Sequence, residues 1–312
     1  MRASSHIYCM KPIDIVVPYV NPWDPEWLKT TAKYGISVAY NRVRDLGTLR
    51  YFFRGVEKNM PWIHNVYLVL QSESQIPSWL NVNHPKLKIV YHRDYIPKKF
   101  LPTCNSSVIE MFFYKIKGLT KHFIIANDDM VAIRPLEPTD FFRGDKVVVG
   151  PVVRQEYWRP DTDGIFAKTI ERCSELAGLF TKKHNRPYYR DYHLFYPHLK
   201  RIHKTCWSRY KREILKALSH SRIRKETNVC QTLFYFIYLE LGLYEFDHNY
   251  KRGFIRAEDG SNPEKMLEHL CESQSKMCCM QDEFRLTNDV IAQQIVQAPL
   301  RHFLTEKSSF EI

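Results

Sequence analysis

Phe123-Ile124-Ile125-Ala126-Asn127-Asp128-Asp129-Met130 runs an apolar segment straight into two adjacent carboxylates. Ile and Phe in a short unbroken run suit a strand covered on both faces, and ligands in open α/β sheets gather at the carboxyl ends of such strands. The stretch therefore reads as a buried strand that delivers Asp128 and Asp129 to a hard divalent cation. Mg²⁺ or Mn²⁺ takes one or two carboxylates together with phosphate oxygens, so the pair points to a phosphate-bearing substrate. The competing reading is that Asn-Asp-Asp only turns the chain.

Upstream, Ile13 to Val20 is β-branched and stops at Asn21-Pro22, a strand ending in a turn. Apolar Leu46, Leu49, Phe52, Phe53 and Val56 share one side of a helix expected over 46–59. Strands follow at 66–70 and 87–91. A second helix, capped by Asn105 or Ser106, is expected to run to a stop at Gly118. This alternation predicts an α/β fold with a mainly parallel sheet and helices on both of its faces.

Val147-Val148-Val149-Gly150 reads as one more strand, after which 155–245 is aromatic, basic and mostly helical by pattern. Between Lys182 and Lys225 there are fourteen Lys or Arg against two acids, an excess equal to the +12 of the whole chain. Such a surface suits a polyanion, anionic lipid or nucleic acid, or is a solvated helix face. The expected division is a nucleotide-sugar-binding core at 1–150, a basic helical lobe at 151–250 and a C-terminal segment at 251–312 that returns to the site. A helix is expected near 288–304, and Ser308-Ser309-Phe310-Glu311 is expected to fold back into the site.

At 312 residues, with 44% hydrophobic and 14% aromatic content, the chain is no disordered segment. No apolar run reaches about 18 residues and the first residues lack the apolar stretch of a secretion signal. The expected location is cytoplasmic, with peripheral contact at the inner face of the cell membrane. The eight cysteines contain no CxxC pair and are expected to be free thiols. His269, Cys271, Cys278 and Cys279 lie near one another in sequence, but their spacing matches no regular zinc pattern.

Four blocks in order resemble the Stealth phosphotransferases, which include bacterial capsule-polymer hexose-1-phosphate transferases and the catalytic subunit of GlcNAc-1-phosphotransferase. They are Ile13 to Val16 with Asp24 to Trp27; Arg42 to Met130, including Leu49 to Arg54, Asn105-Ser106, Ile109-Glu110 and Asn127 to Asp129; His193 with Ser221 to Arg224; and Cys279 to Asp282 with Ser308 to Glu311. The resemblance implies a GT-A-like fold, a UDP-sugar donor and a glycan acceptor. It also implies transfer of a sugar-1-phosphate with release of UMP, in capsule or surface polysaccharide biosynthesis. Asp128 and Asp129 would hold the metal and Arg222 and Arg224 the phosphate oxygens. His193, chosen over His198 and His203, would be the general base, since imidazole titrates near neutrality. Asp14, Asn21, Arg50, Arg54, Asn105, Ser106, Glu110, Asn127 and Asp282 are the expected substrate-binding residues. Arg54 has a rival reading as a surface partner of Glu57. Asn21, Thr48 and Asn228 depart from the acids usual in the family. Two other functions compete. A conventional GT-A glycosyltransferase would release UDP, and a basic nucleic-acid binder would use the 182–225 patch; no specific nucleic-acid motif is present.

Overall fold

The computed structural model describes residues 11–150, 164–181, 193–219, 222–247, 253–285 and 287–312. In the first half, β1 (Ile13–Pro18), α1 (Pro25–Lys33), α2 (Thr48–Asn59), β2 (Val66–Leu70), β3 (Leu87–Tyr91) and α3 (His92–Tyr95) come first. They are followed by α4 (Ser106–Met111), β4 (His122–Ile125), β5 (Met130–Ala132), β6 (Phe142–Arg143) and β7 (Lys146–Val149). The second half adds α5 (Ile165–Thr181), β8 (Tyr196–Leu199), α6 (Lys200–Leu218), α7 (Thr232–Leu241) and β9 (Tyr244–Phe246). It ends with β10 (Gly253–Ala257), α8 (Pro263–Glu272), β11 (Met277–Asp282) and α9 (Asp289–Phe303).

The main sheet has five strands in the order β3-β2-β1-β4-β8, the first four parallel and β8 antiparallel to β4. The fold is mixed α/β. β1 and β2 are almost wholly buried, as their continuous apolar sequences require. The segment expected to be mostly helical contributes α5, α6 and α7, but it also supplies β8 to the main sheet and β9 to a separate sheet, β6-β7-β9. Residues 155–163 and 182–192 of that segment lie outside the described residues.

A third sheet, β10-β11-β5, stands between two cores. Successive strand residues face opposite ways. Met130 and Ala132 of β5, with Met277 and Cys279 of β11, enter the large core around the main sheet. Val131 and Ile133, with Cys278 and Met280, enter a smaller core under α8 and α9. Two buried faces explain why Met277-Cys-Cys-Met is apolar without alternation. Helix α2 lies against β5, and Gly55 permits the approach, because a Cβ there would sit 2.6 Å from the Ala132 carbonyl oxygen.

The helix expected to reach Gly118 stops at Met111, and residues 113–115 form a tighter turn of helix. Phe112 and Phe113 are both buried, and Phe112 stacks on Trp207 of α6; packing the two adjacent rings breaks the α-helical period. Among the described residues no helix is long and apolar enough to cross a membrane.

Candidate active site at the carboxyl edge of the main sheet

The parallel strands end together, and their following residues converge. After β1, Tyr19 donates to Asp45 Oδ2 at 2.7 Å, and the Asn21 backbone is held by Gln75, just beyond β2 (N–H to Oε1, 2.7 Å). After β4, Asn127 forms the turn: its carbonyl accepts from Met130 N at 3.1 Å. Asp128 and Asp129 then lie at this edge with part of their surface open. The surrounding protein, Asp129 and Asp45 hold the Asp128 carboxyl well above the usual carboxylate range. Burial also raises Asp129, while His193 and Cys279 pull it back. Asp129 Oδ1 is buried with no hydrogen-bond partner among the described residues.

His193 arrives through register. Because β8 runs antiparallel to β4 and pairs Tyr196 with Ile125, a residue just before β8 emerges at the carboxyl end of β4. His193 is there, in a left-handed conformation at φ 50 and with Nδ1 2.9 Å from the Tyr196 hydroxyl. His198 pairs with Phe123 inside the sheet and bonds Gln231 and His203 at 3.1 and 3.0 Å. Burial drives the His198 pKa down to about 3, and His203 is stacked on Phe234. Those two are core histidines. β11 supplies Cys279, whose Sγ lies 3.4 Å from Asp129 Oδ2, while Met280 N donates to the Asp129 carbonyl at 2.9 Å. Cys278 faces the smaller core and His269 and Cys271 are on α8, so the four residues adjacent in sequence do not gather.

A second cluster joins the Asn105 and Arg222 regions. Cys104 N donates to the Arg222 carbonyl at 2.8 Å, Arg222 Nη1 to the Pro102 carbonyl at 2.7 Å, and Arg224 to the Ser106 hydroxyl. Arg222 also lies over the Tyr34 ring. Asn105 caps α4 through Ser107 N and donates to Asn228 Oδ1 at 2.8 Å. Asn228 in turn donates to the Ala217 carbonyl at 2.9 Å, a bond that an ionised Asp could not make. Glu110 is buried beside Tyr95, whose hydroxyl pKa is raised by burial first and by the Glu110 charge second. Ser221 lies outside the described residues.

The loop before α2 links the two clusters. Arg42 is near enough to Arg224 for their charges to interact. Arg44 lies 3.5 Å from Asp282, and Asp45 reaches Asp128 electrostatically. Burial raises the Asp282 pKa while Arg44 opposes it.

Three expected site residues lie elsewhere. Asp14 is at the amino end of β1, fully buried, and accepts from Thr120 N (2.8 Å), Asn65 N (3.1 Å) and Asn65 Nδ2 (3.2 Å), with His64 Nδ1 at 3.0 Å. Its bonds tie strand starts together, away from the acid pair. Arg54 is taken by Glu311 in a bidentate pair at 2.8 and 2.9 Å, and Arg50 stands 3.5 Å from the same carboxylate and over Trp79. Glu57 instead accepts from Ser309. The terminal Ser308–Glu311 segment thus folds back onto α2 and the 79–81 turn, with Phe310 buried against Phe53 and His84.

Sequence reasoning passed over Asp45, Tyr19 and Cys279 as members of the acidic site. Asp45-Leu46-Gly47 carries only a turn signal, and Gly47 is left-handed at φ 71. The donors fit a divalent cation: Asp128 feels the charges of both Asp129 and Asp45, and one buried Asp129 oxygen has no hydrogen-bond partner among the described residues.

Residues 42–149 match the family model for Stealth protein CR2, conserved region 2. A receptor polysaccharide phosphotransferase, WefC of Streptococcus oralis, is 31% identical over 97% of this chain and 100% of its own length. A capsular polysaccharide phosphotransferase, WcwK of Streptococcus pneumoniae, is 30% identical over the same shares. CpsJ of Streptococcus thermophilus, also a capsular polysaccharide phosphotransferase, reaches 43% over 43% of this chain and 59% of its own. Among solved structures, the galactosyltransferase LgtC is 10% identical and covers 95% of this chain and 98% of its own with a TM-score of 0.42, a likeness too loose to argue from.

Proposed function

The chain belongs to the Stealth family of phosphotransferases, and from that premise we propose that it transfers a sugar-1-phosphate from a UDP-sugar to a hydroxyl of an acceptor glycan, in capsule or surface polysaccharide synthesis. It is a transferase acting on phosphate groups. The observation that carries the finer reading is the pair of adjacent acids with an imidazole beside it.

In the proposed reaction the acceptor oxygen attacks the phosphorus that bears the sugar. The bond to the second phosphate breaks, and UMP leaves with the electron pair. Phosphoryl transfer needs in-line positioning and charge neutralisation more than covalent help. Asp128 and Asp129, with Asp45 behind them, would hold Mg²⁺ or Mn²⁺, which supplies positive charge to the diphosphate when bound. His193 takes the acceptor hydroxyl's proton. Arg222 and Arg224 each spend part of their donor fork on the 102–106 loop and present the rest to phosphate oxygens. Asn105 and Ser106 position those arginines, and Asp282 positions Arg44 and the loop bearing Asp45. In this reading 1–150 is the donor-binding core, 151–250 the basic lobe facing anionic polymer or membrane, and 251–312 the segment that returns to the site through β11, while its Ser308–Glu311 end packs on α2 instead.

The test incubates the full chain with a panel of UDP-sugars, acceptor glycan and Mg²⁺ or Mn²⁺. UMP and a phosphodiester product support the proposal. UDP and a plain glycosidic bond would assign the chain to conventional glycosyl transfer instead.

A further inference from the structure

The donors beside Asp128 are not those a hard cation alone would select. Asp129, His193 and Cys279 each offer one ligand atom, and the three atoms lie within 4.8 Å of one another. Cys279 Sγ and Asp129 Oδ2 are 3.4 Å apart. Mg²⁺ requires an octahedron of oxygens. Thiolate, imidazole and carboxylate together are the ligands of Zn²⁺, at about 2.0–2.3 Å in a tetrahedron. Donors so arranged stand about 3.3–3.8 Å apart, so this group, within 4.8 Å, needs to close by at most about 1.5 Å.

We infer that Asp129, His193 and Cys279 form a Zn²⁺ site that overlaps the hard-cation site by sharing Asp129. Zn²⁺ binding releases the thiol proton to solvent and leaves a fourth position open to water. It also withdraws the carboxylate and the imidazole together, so Zn²⁺ is a reversible inhibitor of transfer. The binding claim stands on the three side chains; only its inhibitory consequence rests on the phosphotransferase reading.

Co²⁺, a coloured stand-in for Zn²⁺, tests the site on the full chain. The expected result is a thiolate-to-cobalt charge-transfer band with tetrahedral visible bands, discharged by one equivalent of Zn²⁺. Both are lost in Cys279→Ser and His193→Gln, and both persist in Cys271→Ser, which removes an exposed thiol. Zn²⁺ affinity, read against a chromophoric chelator, falls by at least about 100-fold in either loss variant, the upper range for losing a mere supporting contact. Melting curves for both variants keep loss of ligand distinct from loss of fold. Absence of the band in folded wild-type protein, or its survival in Cys279→Ser, overturns the inference. UMP release without the band overturns the zinc site and leaves the proposed function standing. The band without sugar-phosphate transfer from any donor does the reverse.

Discussion

The main sheet carries buried or half-buried aspartates at both ends, and the two ends treat them oppositely. At the amino end, Asp14 is fully enclosed and its oxygens are met by two backbone N–H groups, an amide and an imidazole. At the carboxyl end, burial and the neighbouring Asp129 and Asp45 hold the Asp128 carboxyl above its ordinary range, and one Asp129 oxygen has no donor among the described residues. An acid whose hydrogen bonds are complete serves the fold. Acids crowded together with their hydrogen bonds incomplete are stabilised when something cationic joins them.

The sharpest way to break this contrast is to neutralise one acid at each end. Asp128→Asn should cut UMP release by about 10³-fold or more, the scale of losing a charge-organising group in phosphoryl transfer, with a melting temperature unchanged or higher. A variant that loses stability along with activity would make Asp128 another Asp14. Among the histidines the same logic holds. His193→Gln should lower kcat by about 100-fold or more and remove a limb of the pH–rate profile, whereas His198→Gln should leave the profile's shape alone and lower the melting temperature. At the amino end, Asp14→Ala should cost about 1–3 kcal/mol for each of the two stranded backbone N–H groups, read by urea denaturation, with activity per folded molecule retained.

The smallest expected effect is in pH. The Asp128 carboxyl is held above its ordinary range, so the folded protein binds this proton more tightly than the unfolded chain. Between the unfolded value near 3.9 and the raised folded value, stability therefore falls as pH rises. Without divalent cation, the wild type minus Asp128→Asn difference in melting temperature should grow more negative from about pH 5 to about pH 7, and Mg²⁺ should shrink it. A flat difference would mean that the acids at the carboxyl edge do not repel.

The parallel half of the main sheet and its acid-bearing edge were legible, because Ile, Val and Phe in unbroken runs that stop at polar residues leave few alternatives to buried strands. β8, β10 and β11 were not. Tyr196-Pro-His-Leu contains a proline that reads as a break, yet β8 is an edge strand, where a missing N–H is tolerated. Met277-Cys-Cys-Met lacks β-branched residues and alternation because both of its faces are buried. The choice among His193, His198 and His203 depended on antiparallel register, which a linear sequence does not display. Cys279 was weighed with its neighbours in sequence, although its partner in space comes from another strand.

The pairing of β11 with β5 sets when this site can exist. Asp129 and Cys279 are 150 positions apart, and loop closure over that span comes only after local structure has formed. A nascent chain that has made both aspartates still lacks the strand that fixes the Asp129 backbone, as well as the thiol beside it. During synthesis the acid-bearing half would thus stay without this partner until β11 had emerged.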